Sequence, residues 1–88
     1  MTKKARLRKL RLLQADSVGW VGAACLLTAY ALLSFDVLSP NDLSYQALNI
    51  AAAIGLLVDG VARKAWPSAA TNVVWLMIAV AAIIIILI

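Results

Sequence analysis

The sequence predicts an all-α membrane protein, a three-transmembrane-helix bundle with the N-terminus in the cytoplasm. Three observations carry that reading. The 88 residues are 65% hydrophobic, with a mean hydropathy of +0.97. The apolar residues fall into three stretches, Ser17 to Phe35, Leu43 to Ala62 and Trp66 to Ile88. Each stretch is 19 to 23 residues long, and at 1.5 Å per residue that is the length needed to cross a hydrocarbon core of about 30 Å. A water-soluble globule of this size has too little interior to hide so much apolar surface. The chain is therefore read as one basic arm, residues 1–16, followed by one transmembrane domain, residues 17–88.

The arm sets the expected topology. Six of the eight Lys and Arg residues precede the first span: Lys3, Lys4, Arg6, Arg8, Lys9 and Arg11. The other two, Arg63 and Lys64, lie in the second loop, whereas the first loop, Asp36 to Asp42, carries only acidic charge. The tendency of basic loops to stay cytoplasmic then puts the N-terminus inside and the C-terminus outside. Leu7, Leu10, Leu13 and Gln14 recur at helical spacing, so the arm reads either as an interfacial helix on the anionic inner leaflet or as a flexible tether. Nucleic acid is not an expected partner, because the arm holds no aromatic residue and is tied to a bilayer.

The first span is not read as a removable signal peptide. Only eight residues separate Ser17 from Cys25, and the apolar run continues past the small residues Val21-Gly22-Ala23-Ala24 where cleavage would fall. Cys25 is the one cysteine, so it forms no intrachain disulfide and reads as a small packing residue.

The loops carry helix punctuation. Ser39-Pro40-Asn41-Asp42 predicts a capping box, with Ser39 at the N-cap, Pro40 at the first helical position and Asp42 at the third. Trp66-Pro67-Ser68 opens the third helix, where the missing N–H of Pro67 costs nothing. Loops this short make consecutive helices antiparallel neighbours in a compact bundle.

Polar residues inside the spans are the candidate functional residues, since hydrocarbon penalises them unless they meet a partner or water. On the second helix Asp42, Tyr45, Gln46, Asn49, Ala52, Ala53, Leu56 and Asp59 step by three or four onto one face. On the third, Ser68, Thr71, Asn72, Trp75, Ala79 and Ala82 do the same. The first helix offers Trp20, Ala23, Leu27, Tyr30 and Ser34, beside the small residues Gly19 and Gly22. Asn72 is singled out, because it lies roughly 9 Å inside Trp66 along the helix, where an unpaired amide is expensive. It is expected either to bond a neighbouring helix or to bind a ligand. Asp59 is expected to form a helix-end ion pair with Arg63, four residues on.

An enzyme is not expected. There is no His and no Glu, and no span carries paired carboxylates, so acid–base, metal and nucleophilic schemes lack parts. No metal or other cofactor is implied.

The run Gly19-Trp20-Val21-Gly22-Ala23-Ala24 followed by Tyr30, the Asp59-Gly60 end of the second span, and Trp66-Pro67-Ser68-Ala69-Ala70-Thr71-Asn72 opening the third resemble the PQ-loop superfamily. The likeness is greatest to small bacterial three-helix membrane proteins of unassigned function, distant relatives of the SemiSWEET half-transporters. It covers residues 17 to 88. The Pro-Gln pair that names the superfamily is absent, the matching stretch reading Leu33-Ser34-Phe35, and the second helix has no tryptophan. The resemblance implies a homo-oligomer whose paired three-helix units enclose a path for a small polar solute, with Asn72 in the place of a substrate-contacting asparagine.

The sequence thus sets two expectations. One is a SemiSWEET-like half-transporter in the bacterial cytoplasmic membrane, with Asn72, Asn49, Trp75, Tyr45, Gln46 and Thr71 on the solute-facing side. The other assigns the same face to docking, as a non-catalytic accessory subunit of a larger membrane complex. Three helices cannot surround a solute path, so either reading requires assembly. Membrane lipids are expected around the rest.

Overall fold

A computed structural model describes residues 2–88. It contains three helices: α1 (Lys3–Ser34), α2 (Leu43–Ala62) and α3 (Trp66–Leu87). All three are long and apolar enough to cross a membrane, with mean hydropathies of 1.6, 1.4 and 2.6 over their most apolar windows.

Residues 3–16, expected as a separate arm, are continuous with the first span in α1. The helix begins at Thr2, whose hydroxyl accepts from Ala5 N–H at 3.1 Å and so satisfies one of the first-turn donors. At 1.5 Å per residue its 32 residues extend about 48 Å. That exceeds a bilayer core, and the basic end projects beyond α2 as a rod.

Both loops are closed by backbone geometry that the sequence hides. After α1, Asp36 takes a left-handed φ of 59°, Asp36 N–H bonds Leu33 O at 3.2 Å and Val37 N–H bonds Leu32 O at 2.9 Å. After α2, Lys64 does the same with φ 58°. Lys64 N–H bonds Val61 O at 3.1 Å and Ala65 N–H bonds Gly60 O at 2.8 Å. These are Schellman caps, normally built on glycine. Lysine has no side-chain hydrogen bond to offset a left-handed backbone, which costs about 1–2 kcal/mol, while a glycine loses about 0.4–1 kcal/mol more entropy on folding. Lys64→Gly is therefore expected to stabilise the fold by about 0.5–1 kcal/mol, read as a higher denaturation midpoint in micelles.

The expected start of α2 at Ser39 and Pro40 is corrected. Asp42 has an extended backbone (φ −82°, ψ 131°) and is itself the N-cap, with no side-chain cap bond of its own. Its carboxylate accepts instead from Ser39 N–H at 2.7 Å, while Ser39 Oγ accepts from Asn41 N–H at 3.2 Å. Of the predicted capping box only the Asp42 carboxylate bond to Ser39 N–H forms, within a closed turn ahead of the helix. Gln46, buried, then ties that turn to the helix by donating to Pro40 O at 2.9 Å.

The packing is open, which corrects the expected compact bundle. Among the described residues α1 and α3 each pack on α2 and not on one another. This layout matches the hydropathies of the spanning windows: α2, whose window is the least apolar, is central, and α3, whose window is the most apolar, is peripheral. The helices are antiparallel, since Gly19 faces Asp59 while Gly22 faces Ala52 and Gly55.

Of the α1 residues that the sequence offers, the glycines and not the aromatics face α2. Trp20 and Tyr30 are 72% and 67% exposed, while Ala15, Gly19, Gly22 and Ala29 are buried. The reason is backbone proximity at the crossing. A Cβ on Gly22 would lie 2.9 Å from Ala52 O, and one on Gly55 would lie 2.8 Å from Val18 O and 3.0 Å from Gly22 Cα. Small residues let helices approach this closely, whereas an aromatic at the seam would hold them apart.

Candidate functional site

The separation of α1 from α3 leaves a cleft of about 240 Å³ over the α2 surface. Ala52, Ala53 and Leu56 of α2 line it together with Leu26 of α1 and Thr71, Asn72 and Trp75 of α3. The small side chains at Ala52 and Ala53, both buried, create the depth. Its lining is mainly apolar, and the polar groups are concentrated on the α3 wall.

Of the residues singled out from sequence, Asn72, Trp75 and Thr71 come together at this cleft. Asn72 is half-buried. Its amide nitrogen donates to Ser68 O on its own helix at 2.9 Å, not to a neighbouring helix. Thr71 is exposed and likewise donates back, to Pro67 O at 2.8 Å. Backbone carbonyls one turn away are the nearest acceptors a helical residue has, and these two side chains take them.

Asn49 makes the cross-helix bond instead. It is 4% exposed, donates to Tyr45 O at 3.2 Å, and accepts the Trp75 indole N–H at 3.4 Å. The latter bond is long for its type, and Trp75 remains 47% exposed. Asn49 therefore sits behind Trp75 and holds the ring at the cleft. Tyr45 and Gln46 lie one turn further along α2: Tyr45 is half-buried, and Gln46 serves the first loop. Neither lines the cleft.

At the opposite end of α2 stands a charged cluster. Arg63 donates from Nε to Asp59 Oδ1 at 2.8 Å, as its spacing predicts. It also donates from Nη2 to Asp16 Oδ1 at 2.7 Å, across to α1. The bond and charge of Asp59, with a smaller contribution from Asp16, hold the Arg63 guanidinium above its ordinary pKa, so it is a fixed cation. Sequence reasoning missed Asp16. The signal that could have found it is the antiparallel register, which brings the start of the first apolar stretch beside the end of the second.

Six of the other basic residues lie on the projecting end of α1, and Lys64 lies in the second loop. Lys3, Lys4, Arg6, Arg8, Lys9 and Arg11 are all exposed, as are Arg63 and Lys64. Arg8 reaches back toward the second loop. Together with Leu12, Ala62, Arg63 and Lys64 it lines a second cleft, of about 400 Å³. Cys25 is a free, half-buried thiol.

No curated protein and no solved structure matches the chain. A family model matches residues 15–88, which takes in the spans of all three helices and leaves out most of the basic extension. With that match covering well over half of its length, the chain belongs to this family, which is uncharacterised.

Proposed function

We propose that the protein is one half of a symmetric assembly in the bacterial cytoplasmic membrane. Two copies face each other across the α1–α3 cleft and enclose a path for a small polar solute. The basic end of α1 lies in the cytoplasm. The observation that carries this reading is the open cleft, which places Thr71, Asn72 and Trp75 at the edge of a unit that cannot surround anything alone. Each of the three already donates one bond within the unit, to Pro67 O, Ser68 O and Asn49 Oδ1, and a second copy or a solute can meet the hydrogen-bonding capacity they retain, which lipid cannot. The resemblance to SemiSWEET half-transporters gives the same arrangement, with Asn72 toward the solute.

A second reading has its own observation. The cleft lining is mostly aliphatic, and the Asn72 amide nitrogen is already bonded to Ser68 O. Such a groove suits the side chains of a helix from a larger membrane complex, with this chain as a non-catalytic accessory subunit.

Substituting Asn72 separates the two. In vesicles holding the purified protein, Asn72→Leu is expected to lower flux of a small polar solute at least about tenfold, the loss of roughly 1.4 kcal/mol of solute interaction. Flux equal to that of the unaltered chain removes the transport reading. Purification of the chain bound to a different, larger membrane protein selects the accessory reading.

A further inference from the structure

The second cleft, outside the proposed solute path, has a chemistry of its own. It lies where the α1 extension passes the α2–α3 loop, at the end of the apolar helices where lipid headgroups are met. Three of its five lining residues, Arg8, Arg63 and Lys64, are cations, and the other two, Leu12 and Ala62, are apolar. We propose that this cleft binds a phosphate group, and that the group is the headgroup phosphate of an anionic phospholipid in the leaflet on that side.

Four features support the site. Arg63 is already fixed in place by Asp59 and Asp16 through Nε and Nη2, and its remaining N–H donors are free of those contacts, so little side-chain freedom is lost on binding an oxyanion. Asp59 and Asp16 turn their charge toward Arg63, and with Arg8 and Lys64 counted the cluster keeps an excess of one positive charge. The Schellman cap sets the backbone of Lys64 rigidly at the cleft. Leu12 and Ala62 supply an apolar wall that matches the glycerol and upper acyl carbons of a lipid and gives nothing to a hydrated ion. Basic pockets between transmembrane helices are suited to such headgroups. A role in topology alone requires cations near the bilayer but no cleft. This inference does not depend on whether the other cleft carries a solute.

The test uses the full chain in detergent micelles, with phosphatidylglycerol or phosphatidylcholine added, and reads bound lipid by native mass spectrometry at physiological ionic strength. Retention of phosphatidylglycerol over phosphatidylcholine is expected. Arg8→Gln and Lys64→Gln should each reduce that retention about fivefold, the value of one basic residue beside an anionic headgroup. Lys4→Gln removes the same charge one helical turn, about 6 Å, further along the rod, at a residue that does not line this cleft, and should reduce retention clearly less than Arg8→Gln does. Arg8→Lys should restore most of the binding. Both cleft residues are exposed, and unchanged helical circular dichroism checks that the variants fold. In a parallel arm with inorganic phosphate as the probe, binding that depends on Arg8 and Lys64 without lipid retention assigns the site to a soluble phosphate. Retention that ignores both substitutions, or that falls equally with Lys4→Gln, overturns the proposal.

Discussion

Replacing Gly55 by leucine is expected to separate α1 from α2. Even a single added carbon at this position meets Val18 O at 2.8 Å and Gly22 Cα at 3.0 Å, and both are backbone atoms that cannot rotate away. Two effects oppose one another in the milder Gly55→Ala. Alanine favours the helix by about 1 kcal/mol, while overpacking a close seam costs about 1–3 kcal/mol. The clash prevails, because relief requires the two helices to move apart along the whole crossing. Gly55→Leu exceeds that cost and should abolish the folded state's cooperative transition in micelles. Gly60→Ala is the control. There the added carbon comes no closer than 3.3 Å to Ala69 N, the helical preference offsets the crowding, and the midpoint should barely move. Equal effects at Gly55 and Gly60 would mean that the crossing is not where the structure puts it.

Filling the α1–α3 cleft should have the next largest effect. Thr71 is exposed on the cleft wall, so Thr71→Trp is tolerated by the single three-helix unit and obstructs whatever occupies the groove. Self-association is expected to weaken at least about tenfold, a change of roughly 1.4 kcal/mol, with the helical content of the chain unchanged. A dimer of undiminished strength would place the interface on another face.

How much of this could be read from the sequence depends on the distance over which each feature acts. Helix number follows from the lengths of apolar runs and the short segments between them, both local properties. The buried face of α2 was legible as well, since Gln46, Asn49, Ala52 and Ala53 recur at helical spacing. The face of α1 was not. Trp20, Leu27 and Tyr30 share a spacing as regular as that of Gly19 and Gly22, and only the close approach of Gly55 decides between them. The loop caps were hidden for a different reason: Asp36 and Lys64 adopt a conformation that usually advertises itself with glycine.

The candidate site was half legible. Thr71, Asn72 and Trp75 do line one cleft, but the cross-helix bond looked for at Asn72 is made by the other asparagine. Asn49 reaches across to Trp75, and Asn72 turns back to Ser68. Depth in the span is visible in a sequence; which carbonyl or ring lies within 3 to 4 Å is a property of the packed helices. Asp16 escaped for the same reason, since its link to Arg63 joins residues 47 apart in the chain.

If two copies of this three-helix unit close the α1–α3 cleft, the number of chains per particle in lipid is two. The full chain, carrying one fluorophore and reconstituted into bilayer nanodiscs at low density, should bleach in two steps in most particles. Thr71→Trp should shift them to one step. Single-step bleaching of the unaltered chain across the accessible concentration range would contradict the account.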